Sequence, residues 1–192
     1  MKYDPQKHPF DDTQGKRRKS IRLQGYDYSQ AGVYFVTIVT QGRTSLFGEI
    51  VDGEMRLNEA GKMVEKIWLS IPERFPSVEL GAYMVMPNHF HGDLIILESG
   101  AIKGAGMNPA PTRPTLGQII GAFKSITTHE YIQGVKKLGW PAFDKRIWQR
   151  NYYEHIIRNM EETDRIERYI ESNPKRWADD DENHADRSQG RP

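Results

Sequence analysis

The sequence contains no cysteine. Disulfides and thiolate metal sites are excluded, and a reducing compartment poses no difficulty. No stretch reaches the roughly 18 consecutive apolar residues that a membrane-crossing helix needs. The N-terminus also lacks the apolar core of a signal peptide, so a cytoplasmic location is expected. There are no internal repeats, and 27 Lys and Arg against 26 Asp and Glu leave a net charge of only +1. Overall charge therefore gives no reason to invoke nucleic acid.

The charge that is present lies in blocks. Lys16, Arg17, Arg18, Lys19 and Arg22 form a basic run with no acid among them, and Asp179, Asp180, Asp181 and Glu182 form an acidic one. Runs of this kind near termini are solvated by default. With 192 residues and 37% hydrophobic content, the chain suits one domain with tails. We expect a basic, partly flexible arm over 1–30, a domain over 31–178 and an acidic, disordered tail over 179–192. Ile21, Leu23 and Tyr26 are the residues that would order part of the arm.

The periodicities predict the elements. Val33 to Thr40 alternates as a strand, with Tyr34, Val36 and Ile38 on one face and Phe35 and Val39 on the other. Ile50 to Met55 reads as a hairpin turned at Asp52-Gly53. Ala60, Met63, Val64, Ile67, Trp68 and Ile71 make a helical stripe over 58–74, with Pro72 marking its last turn. Strand-like runs Val78 to Met86 and Leu94 to Leu97 flank Pro87-Asn88 and predict an antiparallel pair. Three Gly and three Pro in residues 99–114 predict an exposed connection. Thr115 and Gln118 fit a capping box opening a second long helix, with Leu116, Ile119, Ile120, Phe123 and Thr127 inward. A last strand is expected over 147–157. A last helix begins at Asn159 and Glu162, and Ile166, Tyr169, Ile170 and Asn173 form its inward stripe. It should end or kink at Asn173, because a residue before proline avoids the helical region.

This order predicts an α+β fold: a ferredoxin-like, split βαβ sheet with an extra C-terminal helix. Both crossover helices would cover the sheet face bearing Phe90, Leu94 and Ile96. His89, His91 and Asp93 would point to the opposite face, open to a ligand and to the last helix.

Two imidazoles two residues apart on one strand can grip one divalent ion or one phosphate. They can equally be two hydrogen-bonded strand residues. A structural zinc site wants four closed ligands, and no third and fourth His or Cys stand at usual spacing. A histidine-triad hydrolase would need His-x-His-x-His, and Asp93 breaks that pattern. An open two-histidine site acting on a phosphodiester needs a further ligand and a nucleophile. Tyr169 and Asn173 share one helix face and could supply them, with Mg²⁺ or Mn²⁺ as the ion. From spacing alone, Tyr169 is as well explained as a core contact beside Ile166 and Ile170.

Three segments in this order carry a resemblance: Met86-Pro87-Asn88-His89-Phe90-His91, Trp148-Gln149-Arg150-Asn151-Tyr152-Tyr153-Glu154-His155, and Tyr169-Ile170-Glu171-Ser172-Asn173-Pro174. Together they resemble the single-tyrosine HUH transposases, most closely the REP-associated tyrosine transposases. The resemblance spans residues 31–178. It implies an HUH nuclease fold and metal-dependent transesterification on single-stranded DNA, an endonuclease activity used in DNA transposition and recombination. It implies His89 and His91 as metal ligands, Asn173 as the third ligand, where some relatives use Gln, and Tyr169 as the nucleophile. Family members include dimers that trade the tyrosine helix and monomers that keep it.

DNA contacts are expected from Arg17, Arg18 and Lys19, from Arg150 and Tyr152, and from Lys175 and Arg176 beside the ligand helix. Trp148 is expected in the packing, and Asp93 either orients an imidazole or is solvated. His155 reads as a hydrogen-bonded strand residue; His8, His129 and His184 receive no role. The other reading is a non-catalytic, domesticated regulator that binds DNA hairpins.

Overall fold

The computed structural model describes Leu23, residues 25–98, residues 113–180, Glu182 and Asn183. The basic residues Arg17, Arg18 and Lys19 and the connection 99–112 lie outside the described residues, as do Ile21, His8 and His184.

Four strands form one sheet: β1 (Gly32–Val39), β4 (Val78–Val85), β5 (His89–Ile96) and β6 (Tyr153–Ile157), in the order β4-β5-β1-β6. Every neighbouring pair is antiparallel. The helices α1 (Glu59–Leu69), α2 (Ile71–Arg74) and α3 (Leu116–Leu138) lie in the crossovers, and α4 (Met160–Ser172) follows β6. This is the expected split βαβ arrangement. A small hairpin, β2 (Gly48–Val51) and β3 (Glu54–Leu57), stands apart. Its Asp52 and Gly53 both adopt positive φ, 54° and 76°, as the turn demands.

Alternation sorts the sheet residues into two cores. Tyr34, Val36, Ile38, Phe90, Leu94 and Ile96 pack with α1 and α3 residues such as Trp68 and Phe123. On the opposite face Phe35 packs with Ile157, Ile166 and Ile170, so α4 covers that side. Gly92 sits between these layers. A Cβ there would meet Trp68 at 2.6 Å and Phe90 at 2.8 Å, so its lack of a side chain sets how deep β5 lies against α1. Gly92→Ala should lower stability by about 1–3 kcal/mol, measured by denaturant unfolding; an unchanged midpoint would show that the contact yields freely.

Caps fix the helix starts. Asn58 accepts from the Gly61 amide, Thr115 and Gln118 form the capping box, and Asn159 accepts from the Glu162 amide. Three local expectations need correction. The helix over 58–74 breaks at Ser70, whose amide bonds back to Lys66 and Ile67; Pro72 then sits in the first turn of α2, where its missing N–H is harmless. The strand over 147–157 shortens to β6, with only a Thr40–Trp148 bridge before it. There Lys124 Nζ donates to the carbonyls of Gln149 and Arg150, which are thereby withdrawn from any ladder. Asn173 keeps helical φ and ψ, −57° and −44°, despite preceding proline. Its N–H bonds to Ile170 and its carbonyl accepts from Arg176, carrying the chain into a 3₁₀ helix, Pro174–Asp179. The Leu23 side chain is exposed, but its amide donates to Tyr28 Oη at 3.1 Å and its carbonyl accepts from the Tyr26 amide, while Tyr26 bonds Tyr34 through their hydroxyls at 3.2 Å. Among the described residues no helix is long and apolar enough to cross a membrane.

Candidate functional site

His89 and His91 open β5, and the pleat sends both to the α4 side. They face the last helix as expected, and it closes them off from solvent: they are 0% and 2% exposed. The α4 helix and the 3₁₀ segment after it lie over them and close the face. Phe35 stacks on His91 with ring centroids 5.5 Å apart, Tyr169 meets His91 edge-on at 5.3 Å, and Trp177 tilts over His89 at 5.9 Å.

The two Nε2 atoms converge to 2.9 Å. Each Nδ1 has its own partner: Asn88 Oδ1 for His89 and Thr37 Oγ1 for His91, both at 2.9 Å. Burial pushes His89 down to about 3, with Asn173 opposing and Arg43 adding to the fall. Burial also holds His91 well below the usual imidazole value, with His89 adding to this and Asp180 opposing. Both rings are neutral at neutral pH, which is the state that ligates metals.

Asn173 is buried beside them, with Nδ2 at 3.3 Å from His91 Nε2. Its Oδ1 is buried and has no hydrogen-bond partner among the described residues. Turning the amide by 180° would bring that oxygen to the imidazoles without moving any other atom. Tyr169, one helical turn earlier, is half-buried on the same side. Burial pushes its phenol well above the ordinary value; Asp180 adds to this, Arg176 opposes it, Glu182 adds and a hydrogen bond with Asn173 opposes.

The acidic run differs most from expectation. Instead of a free tail, Asp180 lies with Oδ2 4.0 Å from His89 Nε2, and its Oδ1 accepts from the Glu182 amide at 2.7 Å. Glu182 pairs with Arg43 Nε at 2.7 Å, and its carbonyl accepts from Asn88 Nδ2 at 2.7 Å. These polar groups hold the acidic segment against the site. His89, His91 and Asp180 each offer a ligand atom, all within 4.8 Å of one another. Two imidazole nitrogens, a carboxylate and an orphan amide oxygen fit a divalent ion such as Mg²⁺ or Mn²⁺.

Asp93 is neither solvated nor bonded to an imidazole. It is 2% exposed, and its carboxylate has no hydrogen-bond partner among the described residues. Thr37 and Asn88 occupy the second-layer positions instead. Thr37 lies directly opposite His91 in the β1–β5 register. The adjacency of Asn88 to His89 was the one visible hint.

Among the candidate DNA residues, Lys175 and Arg176 are exposed on the 3₁₀ helix over the site. Arg150 is exposed and Tyr152 half-buried, but both belong to the segment tied to α3 by Lys124, which stands 6.0 Å over the Tyr152 ring. They lie on the other layer from Tyr169. Trp148 is packed as expected, its Nε1 donating to Thr127 Oγ1 at 2.8 Å. His155 Nε2 meets Glu162 Oε1 at 2.7 Å and ties β6 to the start of α4.

No protein-family model matches this sequence. An uncharacterized protein of Haemophilus influenzae is 38% identical over 173 residues, covering 85% of this chain and 91% of that one. A solved structure of a REP-associated tyrosine transposase bound to a REP hairpin superposes with a TM-score of 0.50 at 21% identity, over 84% of this chain and 73% of that one. The chain thus belongs to the family of the Haemophilus influenzae protein and has an α+β fold similar to that of a REP-associated tyrosine transposase.

Proposed function

We propose that this protein nicks and rejoins single-stranded DNA by metal-dependent transesterification through Tyr169, in transposition or in the processing of palindromic hairpins. One observation carries the reading: a phenol, an orphan amide oxygen and two neutral, convergent imidazoles share one buried site, with phenol and amide four residues apart on α4.

His89, His91 and Asn173, with Asp180 added by the structure, would hold Mg²⁺ or Mn²⁺. A bound divalent ion would withdraw charge from the scissile phosphate. The Tyr169 oxygen attacks phosphorus; the Tyr169 Oη–P bond forms as the P–O3′ bond breaks. The phenol proton is lost, and the departing 3′ oxygen leaves as a hydroxyl. The product is a 5′-phosphotyrosine, and because the diester is conserved, a second 3′-hydroxyl can displace Tyr169 without ATP. Arg176 and the Asn173 hydrogen bond favour the phenolate, while Asp180 and Glu182 disfavour it. Lys175 and Arg176 would meet the phosphates nearest the cut, and Arg150 and Tyr152 would hold DNA farther away; Arg17, Arg18 and Lys19 would add phosphate contacts. Within one chain α4 packs on its own sheet, an arrangement that would let Tyr169 act in cis in a monomer; a homodimer that exchanges α4 would carry out the same chemistry in trans. The working unit covers residues 31–178 together with Asp180 and Glu182. Acting on DNA would call for a cytoplasmic location.

The test is incubation of the protein with a labelled single-stranded hairpin and Mn²⁺ or Mg²⁺. A protein–DNA adduct that survives denaturing electrophoresis, and that EDTA prevents, is the expected result. Hairpin binding with no adduct across varied targets would replace the enzyme with a non-catalytic, hairpin-binding regulator.

A further inference from the structure

We propose that Arg43 binds a phosphate of the DNA strand beside the histidine pair, in place of the Glu182 carboxylate that it holds in this structure. This rests on the site acting on single-stranded DNA.

Arg43 is fixed to the turn that precedes the histidines. The Thr40 amide donates to the Asn88 carbonyl at 2.8 Å, and Asn88 Nδ2 donates to the Arg43 carbonyl at 3.0 Å. The Leu46 and Phe47 amides both donate to the Pro87 carbonyl, at 2.8 and 3.1 Å. The loop 40–47 is therefore braced against Pro87 and Asn88, and His89 follows directly in the chain. Within that loop Arg43 has φ 56°, a left-handed backbone that strains any residue with a β-carbon. Gly42, beside it, has φ 67° and adopts it freely. The strained, braced backbone fixes where the Arg43 side chain leaves the chain.

That side chain meets an anion. Arg43 Nε donates to Glu182 Oε2 at 2.7 Å, and the Arg43 side chain is 33% exposed. The Glu182 amide donates to Asp180 Oδ1 at 2.7 Å, and Asp180 Oδ2 lies 4.0 Å from His89 Nε2. The guanidinium is thus linked to the imidazoles through two acidic residues. A carboxylate and a phosphodiester share one feature, two oxygens carrying a single negative charge, and a guanidinium fork donates to either. Ion pairs with this exposure add little to stability, so a diester can displace Glu182. Only the Glu182 side chain needs to turn. Its carbonyl can stay with Asn88 Nδ2 at 2.7 Å, and Asp180 can stay beside His89. Lys175 and Arg176 are exposed on the 3₁₀ helix over the site, and Arg43 adds a cation from the loop after β1.

The test is fluorescence anisotropy of the full chain with a labelled single-stranded DNA hairpin, at several salt concentrations and with EDTA to prevent cutting. Arg43→Gln should weaken binding about 10-fold. It should also lower the slope of log affinity against log salt by about 0.7, the share of one phosphate contact on a single strand. Arg43→Lys should restore the slope and part of the affinity. Glu182→Gln should tighten binding roughly 3-fold, and only while Arg43 is present. If the pair is merely a structural tie, losing either partner weakens binding alike and leaves the slope unchanged; that result overturns the proposal. Equal tightening by Glu182→Gln in the Arg43→Gln background also overturns it, because the gain would then be a general charge effect. If the wild type binds no hairpin, the DNA reading and this inference both fail. If it binds and Arg43→Gln matches it in affinity and slope, only this inference fails.

Discussion

Tyr169→Phe is expected to lower covalent adduct formation by at least about 10⁴-fold, the scale on which loss of a nucleophile is felt. Hairpin affinity and Mn²⁺ affinity should stay close to those of the wild type. The substitution removes one oxygen and keeps the ring. The edge-on contacts with Phe35 at 6.2 Å and His91 at 5.3 Å survive. The helix keeps its Asn159 cap and its buried Ile166 and Ile170. A fall in adduct with unchanged binding therefore isolates chemistry from folding. The wild-type rate should also climb with pH through the neutral range. Burial and Asp180 raise the phenol's pKa, so the phenolate fraction grows about tenfold per pH unit well below that value. Adduct yield in Tyr169→Phe equal to wild type would move the nucleophile elsewhere.

Asp93→Asn should stabilise the protein by about 2–4 kcal/mol at pH 8, and by almost nothing at pH 4. Burial, with Glu167 adding, raises the Asp93 carboxyl to about 7 from an ordinary 3.8. The sign follows from proton counting. Below the unfolded value both states are protonated and the residue is neutral throughout. As pH rises between the two values the unfolded chain ionises first, so folding becomes less favourable. Above the folded value the full cost of a buried, unpaired carboxylate is present. The surroundings allow little relief: a Cβ on Gly81 of β4 would already lie 2.9 Å from Asp93 Cβ. Asparagine has the same shape and no charge to bury. Denaturant unfolding of both proteins at the two pH values, with EDTA present, measures the gap. An equal gap at both would show that the Asp93 carboxyl ionises at the same pH in the folded and unfolded chain.

The outline of the site is written in local patterns. Period two places His89 and His91 on the face opposite Phe90. Period 3.6 puts Tyr169 and Asn173 on the inward side of α4, and the Asn159 cap sets where that helix begins.

Other features depend on chain segments meeting across long separations. Thr37 reaches His91 only because β1 and β5 pair in one register, and a slip of one residue would have turned it to the other face. Lys124 ends the ladder before β6 from a helix 25 residues away. The acidic run looked like any solvated tail, yet Glu182 meets Arg43 from 139 residues away and brings Asp180 to His89. The sequence by itself determined which residue types share a face, since that follows from backbone periodicity. Only the tertiary structure decided which partners close over the histidine pair, since charge and hydrogen-bond partners are chosen by proximity in space.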